Sequence, residues 1–404
     1  MLVAATRSEV STSVFSCLAL SIVSLTTGCP TAPDSPASVV VHAVAPGASA
    51  RGAVLLHEQV NATGGVFSGR PLELRVVDDV ASLDGEETLV LSVGDDDAVD
   101  LAARASSTLL HVSASSVDGA IATDADPFTF ATANAAAEAG TAYGQLLGAG
   151  AVVDDVSVAA CPQAVVFVDG DAGEAFADRF AERFVARGGR VPSGWRLSTA
   201  DGWGAFADAL AVPDAAADLC VVVDVADDVS TAPTSVVAAL QNRSGPTTLV
   251  VSTRTSVHTV LVGAMSDAVD VAYALVAGVD DTDGLARFQH AFDARFAAAP
   301  TPQDAHLYDA ALLVAAGLAT SNDPAPAAVR DAFYEVSNDG VVVDGTSFAA
   351  LKAALANGDD VDITGASGAL DVDDDGHIGA PFALQQWNGT GWTSVATLTP
   401  DDWQ

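Results

Sequence analysis

Three aspartates at alternate positions before a glycine, Asp371-x-Asp373-x-Asp375-Gly376, have the spacing in this chain best suited to inorganic chemistry. Such a run can wrap its carboxylates around Ca²⁺, a hard cation that takes oxygen ligands. The helix–loop–helix form of that site needs a bidentate Glu at loop position 12, where this chain has Phe382. An acidic turn between strands is the plainer reading of the same residues. Catalytic spacings are missing. No Gly-x-Ser-x-Gly elbow and no His-Glu-x-x-His is present, and Lys352, the sole lysine, cannot end a phosphate loop from inside a late helical run. Gly148-Ala149-Gly150 opens like a dinucleotide turn but lacks the third glycine and follows a helix. The seven histidines are scattered and form no ligand cluster. No enzyme activity and no cofactor is expected; binding is.

The chain begins with an address. Arg7 precedes the apolar run Val14–Leu25, which is too short to span a bilayer and fits a signal-peptide core over residues 1–28. Leu25-Thr26-Thr27-Gly28-Cys29 resembles a bacterial lipoprotein cleavage box, with Cys29 the lipidated residue and Thr26 where that box has Leu. Ordinary cleavage near Gly28, leaving Cys29 a plain thiol, is the alternative. Residues 29–38 are rich in Pro and Ser and read as a tether. A bacterial cell envelope location follows, on the periplasmic face and lipid-anchored. In such an oxidising compartment Cys161 and Cys220, each at or just before an apolar strand-like run, are expected to form a disulfide. Two buried free thiols are the other possibility.

Charge narrows the partners. Fifty-three acidic residues against sixteen basic give a formal net charge of −37, which opposes binding to nucleic acid or anionic lipid, since both need clustered Lys and Arg. The only membrane contact expected is therefore through the anchor. Many Asp with almost no Lys fits an acidic surface adapted to high salt, where ions screen self-repulsion. A compositional bias toward Ala, Asp, Val and Gly accounts for it equally well.

The elements that would position any site alternate along the chain. Apolar runs at 39–43, 72–77, 88–93 and 108–112 interleave with helical spacing at 50–61 and 97–106. A second series has helices at 136–148, 173–187 and 234–242 and strands at 164–168, 219–225 and 247–251. Near-continuous apolar strands such as Cys220–Val223 imply parallel sheets covered on both faces. The fold class is α/β, with two doubly wound parallel-sheet lobes.

The run Arg51–Asp79 adds a resemblance. Ala53, Leu56 and Val60 mark one helix face, Gly64-Gly65 end the helix, and Leu72, Leu74 and Val76 alternate in the strand that follows. The phrase resembles the first helix–turn–strand of the branched-chain amino-acid binding protein family, the type I periplasmic binding proteins. Residues 165–190, with Phe176, Phe180 and Phe184 at i, i+4 and i+8, resemble the opening of that family's second lobe. Leu307-Tyr308-Asp309-Ala310-Ala311 resembles the return to its first lobe, and Gly368–Trp392 its closing hairpin. The resemblance implies a three-crossing hinge, with residues 39–132 and 275–345 forming the N-terminal lobe and residues 133–274 and 346–404 the C-terminal lobe.

It also implies a function and a site. The expectation is a monomeric solute-binding protein capturing a small polar ligand, amino acid or amine-like, between the lobes. It would deliver that ligand to the permease of an ATP-driven (ABC) amino-acid transporter. A sensory or degenerate ligand-binding surface lipoprotein without a transporter is the alternative. Contacts would come from strand ends: Asp97 after the third strand, Ser113, Ala114 and Ser116 after the fourth, and Asp171, Asp224 and Arg254 in the second lobe. Asp97 stands where the family has a ligand-binding Ser, and Ala172 where it has a Tyr that covers the ligand.

Overall fold

The computed structural model describes residues 37–115, 128–211, 216–225, 234–252, 259–374 and 376–403. In the first lobe β1 (Val39–Val44), β2 (Leu72–Val77), β3 (Leu89–Ser92), β4 (Leu110–Ser113) and β5 (Thr129–Ala131) pair in parallel, in the order β2-β1-β3-β4-β5. Helices α1 (Arg51–Ala62) and α2 (Asp95–Ala102) connect them. The chain then crosses into α3 (Ala136–Ala149) and the hairpin of β6 (Ala151–Val153) and β7 (Val156–Val158). The second lobe continues with β8 (Ala164–Val168), α4 (Gly170–Ala186), β9 (Arg196–Ser198), α5 (Gly202–Ala211), β10 (Leu219–Asp224), α6 (Thr234–Gln241), β11 (Thr247–Val251), α7 (Thr259–Ser266) and β12 (Val271–Ala277). Those five strands are parallel, and the antiparallel hairpin β15 (Phe382–Trp387) and β16 (Trp392–Leu398) completes the sheet order β16-β15-β12-β11-β10-β8-β9. β8 and β11 are buried at every residue, as strands covered by helices on both faces must be.

Between β12 and the hairpin the chain returns to the first lobe. There it forms α8 (Asp283–Phe296), α9 (Pro302–Ser321), α10 (Pro326–Ser337), β13 (Val341–Asp344), α11 (Phe348–Asn357) and β14 (Val361–Thr364); α12 (Pro400–Trp403) ends the described chain. A capping box of Thr301 and Asp304 starts α9 with Pro302 in its first turn. Every residue from Asp304 to Leu318 is buried, so this helix has no solvent face and forms the axis of the first core. Each fully buried Leu or Phe there contributes roughly 1.5–3 kcal/mol. Lys352 on α11 donates to the carbonyls of Thr63 (3.1 Å) and Gly65 (2.7 Å), so the one lysine satisfies carbonyls at the end of α1.

The second lobe relies on close helix packing. A Cβ on Gly140 of α3 would lie 2.3 Å from the carbonyl oxygen of Phe176 on α4, and one on Gly144 would lie 2.8 Å from that of Phe180. Glycines one turn apart thus let the α4 backbone, with its buried Phe176, Phe180 and Phe184, lie against α3. Cys161 and Cys220 form a disulfide with a Cα–Cα distance of 5.8 Å, tying the entry of β8 to the start of β10.

The lobe boundaries differ from the expectation at both returns. β12 belongs wholly to the second sheet, so the second crossing falls at residues 278–282 rather than at 275. Residues 346–404 do not all belong to the second lobe. Phe348, Leu351, Val361, Ile363, Leu370 and Ile378 are buried in the first core, and the third crossing comes only at about residues 378–381. Apolar side chains at 348–378 fit either core by composition; only their contacts assign them.

Candidate functional site

Strand direction locates the cleft. The first crossing, residues 132–135, leaves the carboxyl end of β5, and the second leaves the carboxyl end of β12. All strands of β1–β5, and likewise of β8–β12, run parallel, so both sheets turn their carboxyl ends toward the hinge. Open α/β sheets bind ligands at those ends.

On the first-lobe edge a chain of neutral polar groups links β3 and β4. His111 on β4 is fully buried, and burial pushes its imidazole down to about 3, so it stays neutral. Its Nε2 lies 2.8 Å from Ser92 Oγ, which lies 3.2 Å from Ser113 Oγ. Ser113 Oγ accepts from the Ser115 amide at 3.0 Å, and Ser115 Oγ accepts from the Gly94 amide at 3.0 Å. This ladder pins the ends of β3 and β4 together.

The second-lobe edge is acidic. Asp224, fully buried at the end of β10, accepts a hydrogen bond from Ser252, the residue after β11. The Asp169 amide donates to the Asp224 carbonyl at 2.9 Å, and Thr199 donates to the Asp169 carboxylate. Tyr143 of α3 reaches across to donate to the Val251 carbonyl at 2.8 Å. No Lys or Arg directly follows any of strands β1–β5 or β8–β12 among the described residues.

Of the residues proposed from sequence, Asp97 lies in α2 just after β3, and Ser113 and Ala114 lie at the end of β4, on neighbouring strands of one edge. Asp171 lies in the first turn of α4 and Asp224 ends β10, on neighbouring strands of the other edge. Ser113 is fully buried and its hydroxyl is engaged within the sheet; Ser115 is the residue beyond it that reaches Gly94. Ser116 and Arg254 lie outside the described residues, as do Cys29 and Asp375. Asp373 bonds the His377 amide at 2.8 Å, closing a turn, and burial pushes the Asp371 carboxyl up. Among the described residues no group of three or more His, Cys, Asp or Glu could hold a metal ion. Sequence reading missed Ser92, Thr199 and Ser252, and took Ser115 only as part of the loop 113–116. Ser252 follows a recognised strand and was open to the same rule; Thr199 follows β9, a three-residue strand too short to stand out.

This fold is the type 1 periplasmic binding protein fold, and the solved structures it is similar to include substrate-binding proteins of ABC transporters. A Desulfitobacterium hafniense substrate-binding protein in complex with Leu is similar over 89% of this chain and 100% of its own, with TM-score 0.59 and 16% identity. The Streptococcus pneumoniae branched-chain amino-acid protein LivJ, in complex with isoleucine, is similar over 90% and 100%, with TM-score 0.57 and 13% identity. An R. palustris solute-binding protein in complex with benzoate covers 90% and 97%, with TM-score 0.53 and 16% identity. No family model matches the sequence, and no curated protein does.

Proposed function

We propose that this chain is a lipid-anchored solute-binding protein that captures a small polar ligand between its lobes and presents it to the permease of an ATP-driven transporter. The observation that carries the reading is the pair of strand-end edges facing one hinge, each lined with polar groups. The ligand class is an amine or an amino acid bound chiefly through its ammonium. Asp224 and Asp169 place carboxylates at the second-lobe strand ends, and Arg254, the cation expected beyond β11, lies outside the described residues. A lipid anchor at Cys29 and a monomeric, non-enzymatic protein at the periplasmic face complete the proposal. No helix among the described residues is long and apolar enough to cross a membrane.

A second reading, a sensory or degenerate surface lipoprotein without a transporter, is favoured by Ala172 and Asp97 at places where the resembled family has Tyr and Ser. One thermal-shift screen of the full chain against amino acids, polyamines and organic acids tests both. An amine-bearing ligand at a hundred times its Kd should stabilise by about 2.7 kcal/mol, and Asp224→Asn should remove most of the shift. Stabilisation by carboxylates alone would overturn the ligand class, and no stabilisation by any compound would favour the second reading.

A further inference from the structure

Sixteen basic residues serve the whole chain, and four of them, Arg179, Arg183, Arg187 and Arg190, fall within one stretch of twelve. They lie on the second half of α4 and just beyond it, toward the amino ends of β8 and β9 and away from the cleft. Arg179 is paired with Glu182. The next two converge. Arg183 Nε donates to Gln145 Oε1 of α3 at 2.9 Å, and Arg187 Nε donates to the same oxygen at 2.5 Å. Glycines of α3 permit this approach: a Cβ on Gly144 would lie 2.8 Å from Arg183 Cβ, and one on Gly148 would lie 2.5 Å from Arg187 Cβ. Both arginine stems therefore lie against the α3 backbone, and one amide oxygen holds two like charges side by side.

Like charges held this close repel unless an anion offsets them. The C-terminus of α4 supplies some negative potential, and Arg183 stands in its last turn. That does not account for the geometry, because both Nε groups turn sideways to α3 rather than to the last carbonyls of α4. Neighbouring carboxylates do not account for it either. Among the described residues Arg187 makes no ion pair, while Asp178 and Glu182 are engaged with Arg196 and Arg179. Asp402 of α12 bonds Thr399, and the Trp403 carbonyl beside it accepts from Arg183 Nη2 at 3.3 Å. Arg187 is exposed and keeps both Nη groups as donors. Past Gly188-Gly189, Arg190 Nη2 donates to Gln163 Oε1 at 3.0 Å. Gln163 is only 4% exposed, and its Nε2 has no partner among the described residues. That buried donor carries a desolvation cost which only an acceptor offsets.

We propose that Arg183, Arg187 and Gln145 form a binding site for a phosphate group, with Arg190 adding to the local positive potential. Two guanidiniums balance the charge of roughly −1.5 to −2 that a phosphate carries near neutral pH, and their planar forks match its oxygens. Gln145, its oxygen taken twice, offers its amide N–H groups to the same ligand. The net charge of −37 does not forbid this. At ~0.15 M salt, charges beyond about 8 Å are largely screened, so the site responds chiefly to its own arginines. The same net charge favours a free phosphate over a membrane headgroup, because an anionic vesicle would face the whole acidic surface.

Titration calorimetry and thermal melts of the full chain with inorganic phosphate, against potassium chloride at matched ionic strength, test the site. At ten times its Kd, phosphate should raise the melting midpoint by about 2 °C beyond chloride. Arg187→Gln should abolish that difference. Gln145→Leu, which keeps both charges and removes the shared acceptor, should weaken phosphate binding about tenfold, so that geometry rather than net charge is tested. Asp224→Asn, at the cleft, should leave the phosphate response unchanged, which separates failure here from failure of the solute-binding reading. Phosphatidylglycerol vesicles should retain the chain no better than phosphatidylcholine vesicles. Selective retention that Arg187→Gln abolishes would overturn free phosphate as the occupant in favour of a lipid headgroup. A phosphate response equal to that of chloride, or one that either arginine-site substitution leaves unchanged, overturns the site.

Discussion

The two lobes share a sheet type and differ in how they are held together. The first packs around one helix, α9, buried on all sides, and it tolerates fully buried titratable groups: His111, His306 and Asp309. The second is held by backbone proximity and covalent closure, with glycines of α3 against α4 and a disulfide between strands. Buried polar groups confer directionality, because each must find its partner, and they make stability depend on pH. Glycine contacts and a disulfide depend instead on shape and connectivity. Among the described residues the difference places the fully buried imidazoles in the first lobe and the covalent closure in the second.

The largest effect is expected at the helix pair. Gly140→Leu places a side chain where a Cβ alone would meet the Phe176 carbonyl oxygen at 2.3 Å, so α3 must leave α4. The second lobe should lose its cooperative unfolding transition in urea, while protection in α9 persists. Loss of both together would show that the lobes are one cooperative unit and sink the contrast.

Next in size is the acid response of the first lobe. His111 has its imidazole pushed down to about 3, so the stability it supports is present above about 6.5 and is lost as pH falls through that value toward 3. His111→Gln, which cannot take up a proton there, should be less stable than the parent at pH 7.5. The gap should shrink below pH 6.5, by an amount on the order of 4 kcal/mol at the acid limit. A gap that stays constant from pH 7.5 to 4 would remove His111 as the cause.

The smallest of the three concerns the disulfide, which spans a sequence separation of 59. Cys161→Ala with Cys220→Ala should cost about 3 kcal/mol in equilibrium unfolding, with the loss confined to second-lobe probes. An equal loss at first-lobe probes would mean that the closure stabilises the whole molecule.

Elements with a strong period were legible in the chain. Strands at 72–77, 164–168 and 247–251 fall where alternation and apolar runs put them, and α3 and the start of α9 carry their own signals. Helices α2 and α4 begin two and three residues earlier than the apolar pattern suggests, because their first turns are polar or small and leave no periodic mark. Strand ends, and therefore the edges of the cleft, could be read at Ser113, Ala114 and Asp224. The seryl and threonyl groups that hold those edges could not, since short polar residues look like loop residues until a neighbouring strand supplies their partners.

Sequence alone determined the alternation of elements, the parallel sheets and the two-lobed class, because periodicity and apolar runs are local properties of the chain. It also determined the acidic surface and the pair of cysteines available to bond. Only the tertiary structure decided which core receives residues 346–378 and that His306 of α9 meets the first and second crossings. The same holds for His111 lying beside Ser92 rather than facing solvent. Each of these depends on contacts between residues tens to hundreds of positions apart, as with Thr132 and His306, and no local pattern encodes such a partner.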